Sequence, residues 1–129
     1  DDLPGGWKNR AGAAAVRDGA LSVQPKGANA FLGVPVRLAP GTARLSFRVR
    51  SAGPGQGRVA VVTSEDRSEA EPVAYEVAGG AEWQTISIEL PVAKEAGILR
   101  LYLPAGSASV DLDDIVLTPA VGEPRRWSF

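Results

Sequence analysis

The stretch Ser109–Pro119, SVDLDDIVLTP, alternates like a strand with one buried face, and the alternation slips in the middle. Val110 and Leu112 are two apart, as are Ile115 and Leu117, but Leu112 and Ile115 are three apart. A one-residue slip in a period of two would turn every later side chain over unless an extra residue is looped out, so the spacing predicts a β-bulge at Asp113–Asp114. With Val110 and Leu112 facing inward, Asp114 is expected to face inward too, until the bulge resets the alternation at Ile115.

The same period of two runs through most of the chain. Leu21 and Val23 follow Asp18-Gly19, a two-residue hairpin signal. Leu32/Val34/Val36/Leu38, Leu45/Phe47/Val49, the run RVAVVTS, Val73/Tyr75/Val77, Ile86/Ile88/Leu90 and Leu99/Leu101/Leu103 complete the set. Turn-rich segments separate them, notably SAGPGQG and the charged SEDRSEAEP. Only PVAKEAG offers a helical turn, and it is too short for more. About eight short strands without a convincing helix predict an all-β protein, an antiparallel β-sandwich of the jelly-roll kind. A length of 129 residues fits one domain spanning 1–129, with 119–129 as a C-terminal tail. The chain starts at Asp1 without methionine and reads as a mature or excised piece of something longer.

Composition removes several chemistries. There is no Cys and no His, hence no thiolate nucleophile, disulfide, thiolate or imidazole zinc site, or imidazole base. With 14 basic and 15 acidic residues, nothing argues for nucleic acid or an anionic membrane as partner. No apolar run approaches the roughly 18 to 20 residues of a membrane span, and no signal-peptide pattern opens the chain. Glycoside hydrolysis needs two carboxylates set across a bond, and no such pair can be identified, so catalysis is not expected.

In order and spacing, W-x-N near the start, DGAL, L-x-PG-x-x-RLSFRVRS, EWQTISIELP, LRLYLP and VDLDDIVL resemble the galactose-binding-like jelly rolls of non-catalytic carbohydrate-binding modules. More narrowly, the chain resembles the accessory C-terminal sandwich of some secreted bacterial sulfatases, which commonly ends in a sequence like RRWSF. The resemblance spans nearly the whole chain. It implies a secreted or periplasmic accessory module that binds carbohydrate, sulfated or acidic polysaccharide included, beside an attached catalytic domain. A structural sandwich that only packs on its parent enzyme is the alternative.

The resemblance also implies a structural calcium ion, because a last strand like DLDDIVL often supplies one Asp ligand. Asp114 is the first candidate and Asp113 the second, since calcium takes 6 to 8 oxygen ligands. The family's usual N-x-x-F-E opening is absent, and only Asp1, Asp2 and Asp18 lie near that end. The competing reading is an ordinary bulge with solvated or Arg-paired carboxylates.

In ARLSFRVRS, Leu45, Phe47 and Val49 face inward, which places Arg44, Arg48 and Arg50 outward as a cationic stripe able to fork onto sulfate or carboxylate groups. The same logic exposes Arg100 and Tyr102 on LRLYLP, and the two strands could share one sheet face as a single binding surface. Against ligand binding by the arginines stands pairing with Glu76 and Glu89 across neighbouring strands. Trp83 and Trp7 are expected to pack in the core. Trp127 and Phe129 are expected to pin the tail, against this domain or a neighbouring one.

Overall fold

The computed structural model describes residues 3–129. Two antiparallel sheets face each other. In chain order the strands are β1 (Lys8–Arg10), β2 (Gly12–Arg17), β3 (Ala20–Pro25), β4 (Phe31–Leu38), β5 (Gly41–Ser51), β6 (Gly55–Thr63), β7 (Val73–Val77), β8 (Gln84–Val92), β9 (Ala96–Tyr102), β10 (Val110–Thr118) and β11 (Arg125–Trp127). One sheet runs β1-β4-β9-β6-β7 and the other β2-β3-β10-β5-β8, with β11 added to β10.

The eight expected strands are β3 to β10, and the structure adds β1, β2 and β11. β1 and β11 are three residues long, too short to show a period. β2 is GAAAVR, whose alanines carry no large-small alternation. Asp18 and Gly19 both have positive φ, 51° and 77°, the geometry of a tight hairpin turn joining β2 to β3. PVAKEAG makes no helical turn: Pro91 and Val92 end β8, and the chain bends into β9.

The inward side chains interlock between the sheets. Leu21, Val23, Leu45, Phe47, Val49, Val110, Leu112 and Ile115 come from one sheet, and Leu32, Val34, Val59, Leu99 and Leu101 from the other, all 0% exposed. Trp7 lies among them, also 0% exposed, and meets Trp127 edge-on with ring centroids 5.2 Å apart. The tail therefore closes this domain's own core. Trp127 Nε1 donates to the Gly5 carbonyl oxygen at 2.9 Å, and β11 pairs Ile115–Leu117 with Arg125–Trp127.

The bulge falls where the spacing places it. Asp113 stands opposite Arg48, but Val116, three residues on, stands opposite Ser46, only two back. The expected inward turn of Asp114 is not found. Asp114 adopts a positive φ of 49° and its side chain is exposed. The left-handed residue absorbs the extra length by swinging outward, so Leu112 and Ile115 both reach the core without a carboxylate between them.

Candidate functional site

The arginine stripe and the Arg100–Tyr102 pair do not share a face. β5 lies in one sheet and β9 in the other, so their outward side chains point to opposite sides of the sandwich. The stripe is matched by carboxylates. Arg50 Nη2 donates to Asp111 Oδ2 at 2.8 Å, directly across the β5–β10 ladder. Arg44 meets Glu89 at 3.4 Å across β8, and Arg48 meets Asp114 at 3.3 Å at the bulge. Glu76 is not a partner here, because β7 belongs to the other sheet. Trp83 is not in the core: it is half-buried on this outer face, with the Arg48 and Arg50 guanidiniums 4.7 and 4.6 Å from its ring centroid.

The bulge carboxylates hold the tail. Asp113 Oδ1 accepts from the Phe129 backbone N–H at 3.0 Å, and Asp114 Oδ1 accepts from Ser128 Oγ at 3.4 Å. Asp114 is also paired with the Arg48 guanidinium, and among the described residues no group of three Asp or Glu able to hold a metal is found. Asp18 sits in the β2–β3 turn, and Asp1 and Asp2 lie outside the described residues.

The outer face of the β1-β4-β9-β6-β7 sheet is different. Strand register lines up its outward residues in rows: Arg10, Phe31, Tyr102 and Arg58 in the first; Lys8, Gly33, Arg100 and Ala60 in the second; Pro35, Ile98 and Val62 in the third. Gly33 leaves a gap in the middle of this array. A Cβ there would sit 3.6 Å from Phe31 Cε1 and 3.9 Å from Ile98 Cγ2, so the Phe31 ring leans over bare backbone. The result is a hollow of about 310 Å³ bounded by Lys8, Arg10, Phe31, Pro35, Ile98 and Arg100. On the other side of Ile98 a second hollow of about 300 Å³ continues past Val62, Thr63 and Arg67. Together they cross the strands.

Tyr102 is not the exposed platform its place in the alternation suggests. It is only 7% exposed, because Arg58 lies 3.8 Å from its ring centroid and Phe31 packs at 5.1 Å. Its hydroxyl donates to Glu69 Oε2 at 2.6 Å, and Arg100 Nη1 donates to the same oxygen at 2.9 Å. Burial, then the bond to Glu69, raises the Tyr102 pKa. Burial works against the Arg100 charge, but Glu69 and Tyr102 outweigh it and raise its pKa.

Glu69 comes from SEDRSEAEP, and it is placed by a small built turn. Glu69 bridges Val62, and the Ala70 N–H donates to the Val61 carbonyl. Asp66 accepts from Thr63 Oγ1 and from the Ser68 side chain and backbone, which hold its carboxyl far below the ordinary range. The segment thus pairs alongside β6 at the sheet edge, and from there the Glu69 side chain reaches Arg100 and Tyr102.

The larger hollow on the opposite sheet, about 400 Å³, has a floor of Ala13 and Ala15 between Arg17, Ser22, Gln24 and Asp111. It lacks an aromatic or large apolar wall for the C–H face of a sugar. The groove over Gly33 has both that wall and hydrogen-bonding groups. Phe31 was missed by sequence reading, yet the signal was present: in FLGVPV the alternation that buries Leu32 and Val34 places Phe31, Gly33 and Pro35 outward.

The chain matches no protein-family model and no curated protein in sequence. Solved structures do match. One described as CBM4 superposes with a TM-score of 0.68 at 18% identity, over 90% of this chain and 81% of that one. A variant of a family 29 carbohydrate-binding module complexed with mannohexaose matches with a TM-score of 0.68 at 14% identity, over 91% and 83%. The CBM22-1–GH10 modules of Clostridium thermocellum endo-1,4-β-D-xylanase 10B, complexed with xylohexaose, match with a TM-score of 0.67 at 20% identity, over 90% of this chain and 26% of that longer one. At these identities the shared property is the fold: the chain is a jelly-roll β-sandwich built like carbohydrate-binding modules of families 4, 22 and 29.

Proposed function

We propose that the protein is a non-catalytic carbohydrate-binding module and that the groove across the β1-β4-β9-β6-β7 sheet receives a stretch of polysaccharide. The observation that carries this reading is the gap at Gly33. It leaves room beside the half-buried Phe31 ring, over which the Arg100 guanidinium lies 4.9 Å from the centroid, and so sets an apolar surface and hydrogen-bond donors against the same volume. Strands lie about 4.8 Å apart, so a groove crossing four of them gives roughly 15 Å of track, room for about three sugar units. The Tyr102 hydroxyl donates to Glu69, so Tyr102 acts behind the groove, holding the carboxylate that fixes Arg100. Among the described residues no carboxylate borders either hollow.

Attachment to a secreted hydrolase such as a sulfatase, and with it a secreted or periplasmic location, belongs to the same proposal and rests on the sequence resemblance. The described residues contain no helix long and apolar enough to cross a membrane. Of the residues first singled out, Arg100 and Tyr102 serve the proposed site, Tyr102 as a support for Arg100 and Glu69. Arg44, Arg48 and Arg50 are assigned to the opposite face, as partners of carboxylates.

Native affinity electrophoresis through a panel of polysaccharides tests the reading. Retardation by at least one glycan is expected, with loss in Gly33→Leu and in Phe31→Ala while circular dichroism shows both variants still folded. Retardation by none would leave a structural sandwich that packs on its parent enzyme.

A further inference from the structure

We infer that the gap over Gly33 is a pocket for an acyl substituent, so that the groove selects sugar chains carrying N-acetyl or O-acetyl groups; this rests on the proposed glycan-binding role. The first observation is the size of the gap and its walls. A Cβ on Gly33 would lie 3.6 Å from Phe31 Cε1 and 3.9 Å from Ile98 Cγ2, both ordinary contact distances between carbon atoms. A ligand methyl entering above the bare backbone comes between the same two groups, an aromatic edge and an aliphatic methyl. Val34 and Pro35 continue the apolar lining. A sugar hydroxyl in that place would leave water without gaining a partner.

The second observation is that the polar walls of this hollow donate and do not accept. Among the described residues they are Lys8, Arg10 and Arg100, and neither an ammonium nor a guanidinium has an acceptor atom. Lys8 is already engaged, and Arg10 stands one row away beside Phe31. Arg100 stands directly opposite Gly33 across the β4–β9 ladder, where facing Cβ positions are about 5 Å apart. Its guanidinium lies 4.9 Å from the Phe31 ring centroid and gives one of its five N–H donors to Glu69 at 2.9 Å, so it is fixed beside the gap with donors to spare. The other hollows differ. Thr63 and Ser64 line the one beyond Ile98, and Ser22, Gln24 and Asp111 line the one on the opposite sheet, so both can receive the proton of a sugar hydroxyl. A hydroxyl set against Arg100 has its oxygen satisfied and its proton unmatched, whereas a carbonyl is an acceptor only. An acetyl group suits both sides of the gap, its methyl over Gly33 and its carbonyl oxygen towards Arg100. Amide and ester share that chemistry.

Two matched pairs of neutral ligands test this on the chain by isothermal titration calorimetry. Hexa-N-acetylchitohexaose is set against cellohexaose, which carries a hydroxyl in place of each acetamide, and O-acetylated xylohexaose against the same oligosaccharide after alkaline deacetylation. The acetylated member of at least one pair is expected to bind roughly tenfold more tightly, from a buried methyl together with a hydrogen bond to a charged donor. The pair that shows the preference tells amide from ester. In Gly33→Ala, whose own methyl fills the gap, the preference should fall to about one. Gly33 is not among the glycines with positive φ, so alanine fits its backbone. Equal affinity within both pairs of the parent, or tighter binding of the bare member, overturns the acyl selectivity while the binding role stands. A preference that survives Gly33→Ala puts the acetyl group outside the gap and overturns the assignment. Loss in that variant of a bare oligosaccharide that the parent binds also overturns it, since the sugar ring itself would then lie over Gly33. Binding of none of the four by the parent overturns the acyl pocket, and, joined to no retardation by any polysaccharide, the binding role as well.

Discussion

Trp7 and Trp127 form the ring contact that closes the core, and conservative changes to the two should have unequal costs. Trp7 is 0% exposed and Trp127 6%, so burial alone ranks Trp7 as the more sensitive. Hydrogen bonding reverses the order. Trp7 Nε1 is buried with no partner, whereas Trp127 Nε1 donates to Gly5 O at 2.9 Å. Replacing Trp by Phe removes roughly 40 Å³ of ring, which at about 24 cal/mol per Å³ of cavity costs about 1 kcal/mol at either site. At Trp127 the lost hydrogen bond adds about 1 kcal/mol, for a total near 2. At Trp7 the change deletes an unpaired buried donor, whose desolvation costs on the order of 1 to 3 kcal/mol, so the cavity is offset and the net is near zero. For a domain of this size, 1 kcal/mol corresponds to about 4 °C. Trp127→Phe should therefore melt about 8 °C below the parent, and Trp7→Phe within about 3 °C of it, by scanning calorimetry. A larger drop for Trp7→Phe than for Trp127→Phe would refute the reasoning.

Three further outcomes follow from single contacts. In Gly57→Ala the new Cβ collides with the Tyr75 ring and hydroxyl and comes within 2.6 Å of Tyr102 O, so an unfolding midpoint lower by about 3 kcal/mol is expected in urea titration; a change below about 0.5 kcal/mol would contradict it. Burial raises the Tyr75 pKa, since its hydroxyl is enclosed and donates to Tyr102 O at 2.7 Å. The stability this group contributes is fully present below its ordinary pKa near 10 and is lost as pH rises through the raised value. An alkaline decline in melting temperature beginning near pH 10 should thus be reduced in Tyr75→Phe, and an identical decline in both proteins would count against it. Calcium or a chelator should move the melting temperature by less than about 1 °C, because Asp113 and Asp114 already serve Phe129, Arg48 and Ser128. A calcium-dependent rise of several degrees, absent in Asp114→Asn, would restore the metal site.

The sequence shows which side of a strand is buried far better than it shows which sheet the strand joins. Alternation in RLSFRVR and LRLYL correctly sorts Leu45, Phe47, Val49, Leu99 and Leu101 inward. Nothing in either segment says that β5 and β9 lie back to back, because sheet membership is set by crossovers between distant strands. The bulge at Asp113–Asp114 was legible as a count of residues, but the outward swing of Asp114 was not, since the period of two says nothing about a residue that leaves it. Tyr102 shows a second limit. Its outward direction was right, and its exposure was wrong because Arg58 and Phe31 come from strands far away in the chain to cover it.

Arginine chemistry on the two faces shows why residue type alone could not locate the site. Arg48 and Arg100 both stand outward on central strands, and both have a carboxylate within 3.3 Å. What differs is the surroundings. Arg48 lies over Trp83 with Arg50 beside it and carboxylates across the ladder, so its charge and its aromatic neighbour are already used. Arg100 likewise has a carboxylate, Glu69, and an aromatic ring, Phe31 at 4.9 Å, but it stands next to Gly33 and Ala60, the two smallest outward residues of its row, and borders open volume. What separates the two arginines is therefore the room beside them, not their pairing. On the β1-β4-β9-β6-β7 face that room comes from the absent side chain at Gly33, and Glu69 secures Arg100 without closing it.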